Sequence, residues 1–288
     1  MSQYITTAFV EQYSSNVTHL SQQMGSKLRG AVDVESVKGK QAYFDQIGAV
    51  AAQVRTTRHG STPLIETPHS RRAVSLADYE WSDLIDDLDK VRLLIDPTSA
   101  YAKAAAAAMG RSMDDVIIAS LGGTAQAASN STSLSSVALP AGQKITVAAT
   151  GLTVTKLLDA KYKLDAADVD PSIKKYIVVG PKQIQDLLNT TEVKSADFNT
   201  VKALAQGDIN SFMGFNFIMS NRLAVDGNSD RLVYAFTEDA VKLAIGSDVK
   251  ARIDERNDKS YATQVYYSMA IGASRMEEAK VVEIACNE

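Results

Sequence analysis

Apolar residues recur three or four positions apart near the start of the chain, a spacing that predicts a helix with one apolar stripe over residues 8–24. The residues of this stripe are Phe9, Tyr13, Val17, Leu20 and Met24. The opposite face carries Gln, Ser, Asn and Thr side chains. The pattern leaves two interpretations open: a surface helix that packs on its own domain, or a mobile arm that docks on a neighbouring molecule.

Residues 40–80 change to a pattern that predicts a long two-stranded hairpin. Residues 41–58 and 71–81 mix apolar and β-branched side chains, and residues 59–69 between them are rich in turn-forming residues. Pro63 and Pro68 exclude a helix in this tip. Because a two-stranded ribbon is only marginally stable on its own in water, we expect another surface to lie beneath it.

The strongest helical signal of the chain follows in residues 97–121, which contain a run of five consecutive alanines. Asp96 is a good N-cap, and Pro97 suits the first helical position. Gly110 is expected to interrupt the helix. If the helix is continuous, it is about 35–40 Å long at about 1.5 Å per residue, and its alanine face lets another backbone pack closely.

The second half of the chain mixes short strands and helices. Strands are predicted at residues 176–179, 214–220, 232–236 and 280–285, and helices at residues 151–167, 182–189 and 237–243. The apolar residues of the first helix are Leu152, Leu157, Leu158 and Tyr162, and the predicted inward-facing residues of the second are Ile184, Leu187 and Leu188. Residues 123–150 predict a loop with at most short strands. Because strands and helices are interleaved without a regular βαβ rhythm, the predicted fold class is α+β.

The charged residues of the predicted hairpin and of the segment after it form two blocks of opposite sign. The tip region of the hairpin is basic, and Glu66 is its only acidic residue. Acidic residues dominate positions 78–89. The two blocks are either solvated faces or complementary patches that meet between identical copies, and we favour the second interpretation. The predicted inter-subunit contact residues are Arg55, Arg58, Arg71, Arg72, Asp83, Asp86 and Asp87. Each exposed pair contributes only about 0–1 kcal/mol, so the effect depends on repetition.

The candidate chemistry of the chain is sparse. The net charge of −4 argues against a dedicated nucleic-acid binder. Cys286 is the sole cysteine, which excludes an intrachain disulfide and a cysteine-based zinc site, and it is interpreted as a small apolar residue. Phosphate-binding, dinucleotide and nucleophile-elbow motifs are missing. The remaining enzyme hypothesis is a metal site formed by His59, His69 and the aspartates near position 86. We predict no enzyme activity, no cofactor and no membrane span.

Taken in order, these elements resemble the major capsid proteins of tailed bacteriophages, which share the Hong Kong 97 phage-type fold. The resemblance covers nearly the whole chain. The segments that carry it are the hairpin at 40–80, the helix that follows Asp96 and Pro97 with residues 109–114, and residues 177–181, 206–209, 214–217, 237–240 and 270–275.

The resemblance implies a four-part organisation. Residues 1–36 are expected to form an N-terminal arm, and residues 37–82 an extended β-hairpin loop. Residues 83–150 and 245–288 are expected to form a peripheral domain with one long spine helix. Residues 151–244 are expected to form an axial domain.

The resemblance also implies a function in self-assembly. Such subunits form the hexamers and pentamers of an icosahedral shell around double-stranded DNA, in which each extended loop lies over a neighbouring subunit. The expected partners are other copies of the chain, non-specifically bound DNA, a portal protein and a separate scaffolding protein, with decoration proteins left open. The expected location is the virion, after assembly in the cytoplasm of the bacterial host. An encapsulin-like bacterial nanocompartment shell, which has the same fold, is the alternative.

Overall fold

A computed structural model describes residues 22–58, 60, 62, 64–85, 98–128, 134–189 and 211–288, with the side chains of residues 98–100 left out. Several sequence-based predictions lie outside the described residues. They concern residues 8–21 of the first helix, His59, Asp86, Asp87, Asp89, the cap formed by Asp96 and Pro97, and residues 206–209.

The described residues contain three α-helices and fourteen strands. The helices are α1 (Thr98–Gly122), α2 (Val154–Ala166) and α3 (Pro181–Asn189). The strands are β1 (Asp33–Ser36), β2 (Gln41–Ile47), β3 (His69–Ser75), β4 (Ala77–Ile85), β5 (Ala125–Ala128), β6 (Leu134–Val137), β7 (Lys144–Ile145), β8 (Lys175–Val179), β9 (Ser211–Phe212), β10 (Phe215–Met219), β11 (Asp230–Thr237), β12 (Val241–Arg256), β13 (Ala262–Arg275) and β14 (Val281–Asn287). This mixture confirms the α+β class.

The chain divides into two compact units. One comprises Met1–Ser26, Ala77–Met113 and Ser247–Ile271, and the other comprises Lys27–Leu76, Asp114–Gly246 and Gly272–Glu288. The predicted four-part organisation stays a prediction.

A six-stranded sheet in the order β7-β14-β11-β8-β10-β9 carries much of the core of the second unit. The apolar side chains of β8 and β11 are almost entirely buried, which explains why their sequences show continuous apolar runs rather than alternation. The strands predicted at 176–179, 214–220, 232–236 and 280–285 are confirmed as β8, β10, β11 and β14. β14 lies between β7 and β11, in the interior of the sheet.

The helix predicted at residues 237–243 is wrong, because the chain makes a tight turn there and continues as β12. The Thr237 hydroxyl donates to the Asp239 carboxylate at 2.6 Å. The Ala240 N–H donates to the Thr237 carbonyl at 3.0 Å, which closes the turn. The hydrogen bond between Thr237 and Asp239, which the sequence suggested as a helix cap, therefore stabilises a turn instead.

The predicted hairpin is confirmed at its base, where β2 and β3 pair antiparallel from Gln41 opposite Ser75 to Ile47 opposite His69. β3 also pairs with β5 in a four-stranded sheet of order β2-β3-β5-β6. The base is therefore supported by its own chain. The second predicted run ends at β3, because β4 belongs to another sheet, of order β1-β12-β13-β4.

Helix α1 is continuous through Gly110, so the predicted interruption is wrong. The glycine instead allows a close approach of the backbone, since a Cβ at this position would lie 2.4 Å from the carbonyl carbon of Gly25. The backbone near Gly25 can therefore pack closely against the helix at Gly110, the residue with low helix propensity. Residues 22–24, at the end of the predicted N-terminal helix, are not helical.

The apolar residues of α2 do not all face the core. Leu157 is fully buried, but Leu158 and Tyr162 are 51% and 73% exposed. Lys156 takes an inward position, where its Nζ donates to the carbonyls of Val147, Thr150 and Ala285 at 2.8 Å each. Three backbone acceptors make it possible to bury this ammonium group.

Candidate functional site

Two neighbouring arginines of the predicted contact set, Arg71 and Arg72, lie on β3 and face opposite sides of the hairpin. Side chains alternate along a strand, so adjacent residues cannot share a face. Arg71 lies opposite Asp45 in the pairing with β2, and Arg72 lies opposite Phe44. The structure therefore gives the two arginines different environments.

Arg71 is on the exposed face and forms an ion pair across the hairpin. Its Nε donates to Asp45 Oδ1 at 2.5 Å and its Nη2 donates to Asp45 Oδ2 at 3.2 Å. The guanidinium also lies 5.8 Å from the centre of the Tyr43 ring. The hydrogen bond from Arg71 lowers the pKa of Asp45 below its ordinary value. Asp45 was missed in the sequence because its relation to Arg71 appears only once the strand register is known.

Arg72 is on the buried face and is 9% exposed. Its Nη2 donates to both carboxylate oxygens of Glu278 at 2.8 Å, and its Nε donates to the carbonyl of Met276 at 3.0 Å. Gln46, on the adjacent strand, donates to the same carbonyl at 2.9 Å. The guanidinium of Arg72 therefore has its partners within its own chain, and its predicted role as an inter-subunit contact stays a prediction.

A second arginine, Arg275, also lies near Glu278 and is fully buried. Its Nη1 donates to the carbonyls of Leu121 and Gly123 at 2.8 Å each, and its Nη2 donates to the carbonyl of Val137 at 3.0 Å. Its Nε lies 3.7 Å from Glu278 Oε1. Burial lowers the pKa of Arg275, and the carboxylate of Glu278 opposes that shift. We call Arg72, Arg275 and Glu278 the hairpin anchor.

Apolar packing completes the anchor. Ala42, Phe44, Val74, Ala244 and Met276 form one buried cluster beneath the hairpin base. These residues come from β2, β3, β12 and the position directly after β13, so the base is fixed by segments far apart in the sequence.

The tip of the hairpin differs from its base. The Gly48 N–H donates to the Pro68 carbonyl at 2.8 Å, and residues 48–56 form neither helix nor strand. Large apolar side chains at the end of the base and in the tip are exposed: Ile47 by 69%, Val54 by 88% and Leu64 by 96%. Such side chains are unusual on the surface of a monomeric protein when they lie together, and they mark interaction sites.

The tip also carries two of the predicted contact residues, Arg55 and Arg58, both exposed. Arg55 Nε donates to the Thr57 carbonyl at 3.0 Å. No ion pair is recorded for either arginine with the residues that the structure describes. Both side chains lie on the exposed surface of the tip.

Asp83, the acidic residue of the predicted contact set that the structure describes, lies on β4. Asp83 is half-buried, lies opposite Val265 on β13, and accepts from the Leu84 N–H at 2.9 Å. Glu80, on the same strand, accepts from the hydroxyl of Tyr266 at 2.9 Å. This hydrogen bond raises the pKa of Tyr266.

The candidate chemistry that remains is a metal site and the thiol of Cys286. Within the described ranges, no group of three or more His, Cys, Asp or Glu side chains is arranged to hold a metal ion. Cys286 is buried, and burial raises the pKa of its thiol to about 12. Over the same ranges, no helix has the length and apolar character needed to cross a membrane.

Comparison with known proteins supplies the family. A family model described as phage capsid protein matches residues 5–288. A search of curated proteins gives no match.

The chain is also similar to solved capsid structures. The capsid of cyanophage P-SCSP1u is 16% identical, with a TM-score of 0.77 over 99% of this chain and 95% of that one. A Mycobacterium phage Che8 structure is 17% identical, with a TM-score of 0.71 over 96% and 97% of the two chains. The capsid of Ralstonia phage GP4 is 12% identical, with a TM-score of 0.72 over 97% and 95%. At these identities the likeness shows the fold, which is that of tailed-phage capsid proteins.

Proposed function

Because the chain belongs to the phage capsid protein family, we propose that it is the major capsid protein of a tailed phage and self-assembles into hexamers and pentamers of an icosahedral shell around double-stranded DNA. The proposed partners are other copies of the chain, non-specifically bound DNA, a portal protein and a separate scaffolding protein. The proposed location is the virion, after assembly in the cytoplasm of the bacterial host. The family is one of structural proteins rather than a class of enzymes.

The observation that carries the self-assembly proposal is the contrast between the two ends of the hairpin. The base is held by the buried hairpin anchor, whereas the tip exposes Val54 and Leu64 almost completely. Exposing apolar side chains costs about 25 cal/mol per Å² relative to burial. A firmly held hairpin with an apolar tip is suited to dock on another molecule and recovers that free energy there.

Charge supports another copy as that molecule. We propose that Arg58 and Arg71 of one copy face Asp83, Asp86 and Asp87 of another. The two patches are different surfaces of the chain, so the contact is head-to-tail, and a head-to-tail contact closes into a ring when its rotation is suitable. Each exposed pair adds only about 0–1 kcal/mol. Repetition around a ring and across a shell makes the sum significant.

The proposal is tested by electron microscopy of the purified protein together with charge-reversal variants. The protein is expected to form closed particles. Arg58→Glu should leave circular dichroism and the melting temperature unchanged but should shift the protein to small species in sedimentation. Lys174→Glu, which reverses an exposed charge outside the hairpin, is the matched control and should assemble. Normal shells from Arg58→Glu would contradict the proposed contact.

The contents of the particles separate the two shell types. Nuclease-protected double-stranded DNA in particles from infected cells is expected for the virion. Particles that hold a protein cargo and no DNA would support the encapsulin-like compartment instead.

A further inference from the structure

Among the residues that the structure describes, no strand pairs with one edge of the outer half of β12. β1 pairs with β12 only at residues 242–245. Beyond Ile245, no residue that the structure describes pairs with that side of β12, and residues 248–255 are exposed. Unpaired N–H and C=O groups along an edge are a template for an added strand.

The backbone groups that face this edge can be identified. The Ile245 carbonyl accepts from the Val37 N–H at 3.0 Å on the β1 side. Every second residue of a strand points its N–H and C=O to the same side, so Val249, Ala251 and Ile253 face the open edge. The Val249 N–H is bonded to Asp248 Oδ1 at 2.9 Å. The side chain of Asp248 thus occupies a position that an added strand would take.

This edge is also amphipathic. Val249 and Ile253, which are 36% and 50% exposed, share one face with Ala251. Lys250, Arg252 and Asp254 share the other face. An edge strand that exposes apolar side chains calls for a partner.

The hairpin tip contains a segment with the same pattern. Residues 50–54 read Val-Ala-Ala-Gln-Val, and residues 249–253 read Val-Lys-Ala-Arg-Ile, so both have a β-branched residue, alanine and a β-branched residue at alternate positions. Val50 and Val54 are 54% and 88% exposed. The segment contains neither glycine nor proline, so nothing in it prevents strand formation.

We propose that residues 50–55 of one copy add as an antiparallel strand to the outer edge of β12 in another copy, with Ala52 opposite Ala251. The inference rests on the proposed shell function, which brings copies together. In this register Val54 lies opposite Val249, and Arg55 lies opposite Asp248. Pairing displaces Asp248 from the Val249 N–H and gives its carboxylate the guanidinium of Arg55.

Charge favours the tip over a second β12 strand as the partner. An antiparallel pair of two β12 edges centred on Ala251 would match the apolar residues but would place Asp248 opposite Asp254 and Lys250 opposite Arg252. Like charges directly opposite each other destabilise a sheet. The tip avoids this because it presents uncharged Ala51 and Gln53 to the two basic residues. The contact is therefore head-to-tail.

The test is disulfide formation between two singly substituted proteins assembled together. Gln53→Cys and Lys250→Cys change exposed residues that lie directly opposite in the proposed register. The Cα atoms of such a pair are about 4.5 Å apart, within the range that a disulfide accepts. Disulfides between the two chains should form at least about tenfold faster than for Ala52→Cys with Lys250→Cys, because Ala52 points to the other face. The buried Cys286 is present in every protein.

A second measurement tests the ion pair. Arg55→Glu and Asp248→Arg should each slow assembly, and the combination of both changes in one chain should restore it. Assembled particles in which Gln53→Cys reacts no faster than the control would overturn the strand pairing and leave the proposed function intact. Preferential reaction with Arg252→Cys would mean a parallel strand and would overturn the register. Failure of the unsubstituted protein to form particles would contradict the proposed function and this inference with it.

Discussion

The hairpin anchor makes a quantitative prediction for Glu278→Gln. The change removes the carboxylate that separates two buried guanidinium groups, Arg72 and Arg275. Removing one partner of a buried ion pair costs about 3–5 kcal/mol. The side chain of Glu278 is 19% exposed, so we expect the lower end, about 3 kcal/mol, because water screens part of the charge. For a chain of this size that is about 6–12 °C in melting temperature.

The neighbouring Glu277→Gln is the matched control, because Glu277 is half-exposed and pairs with Lys280 at 3.1 Å. It should cost about 0–1 kcal/mol. Urea unfolding of both variants, followed by circular dichroism, gives the comparison. A double-mutant cycle with Arg72→Met should show a coupling of about 1–3 kcal/mol. Equal stability of the Glu278 and Glu277 variants would refute the reasoning that the anchor holds the hairpin.

Three further outcomes are expected. Because the pKa of Cys286 is about 12, its thiol should be ionised in only about one molecule in ten thousand at pH 8, and it should react with a thiol reagent only on unfolding. The free energy of unfolding should fall as the pH rises above about 9, because the thiol of the unfolded chain loses its proton at a lower pH than the buried thiol. Lys156→Met should lower the free energy of unfolding by about 1–3 kcal/mol in urea titrations, since it leaves three carbonyls without their donor. Gly110→Ala should lower the melting temperature because the new Cβ would clash with the backbone of Gly25. In an ordinary helix the same change is stabilising by about 1 kcal/mol. The control Ala106→Gly, at an exposed position of α1, measures the effect of helix propensity without a clash.

Local patterns in the sequence predicted the elements whose signals lie in, or next to, their own residues. β8 and α3 follow from an apolar run, the break at Gly180, and Pro181 at the first helical position. The hairpin base follows from its β-branched residues and the breakers between them. Each of these signals lies within about a dozen residues of the element that it predicts.

The failures share a different cause. In α2, the apolar Leu158 is exposed, whereas Lys156 is buried because three backbone carbonyls, one of them from the distant Ala285, accept from its ammonium group. The sequence also offered no signal that Arg72 pairs with Glu278, 206 positions away. However, the sequence does predict a strand here, and adjacent residues of a strand face opposite sides. This alternation separates the buried Arg72 from the exposed Arg71.

The distance in sequence between the hairpin and its anchor has a consequence for synthesis. Arg72 leaves the ribosome roughly two hundred residues before Met276 and Glu278, the residues to which it binds. Native contacts between distant residues form late, because the intervening chain must first be made and closed. We therefore expect the hairpin base to be synthesised well before its anchor, and the anchor to form only when the chain is nearly complete.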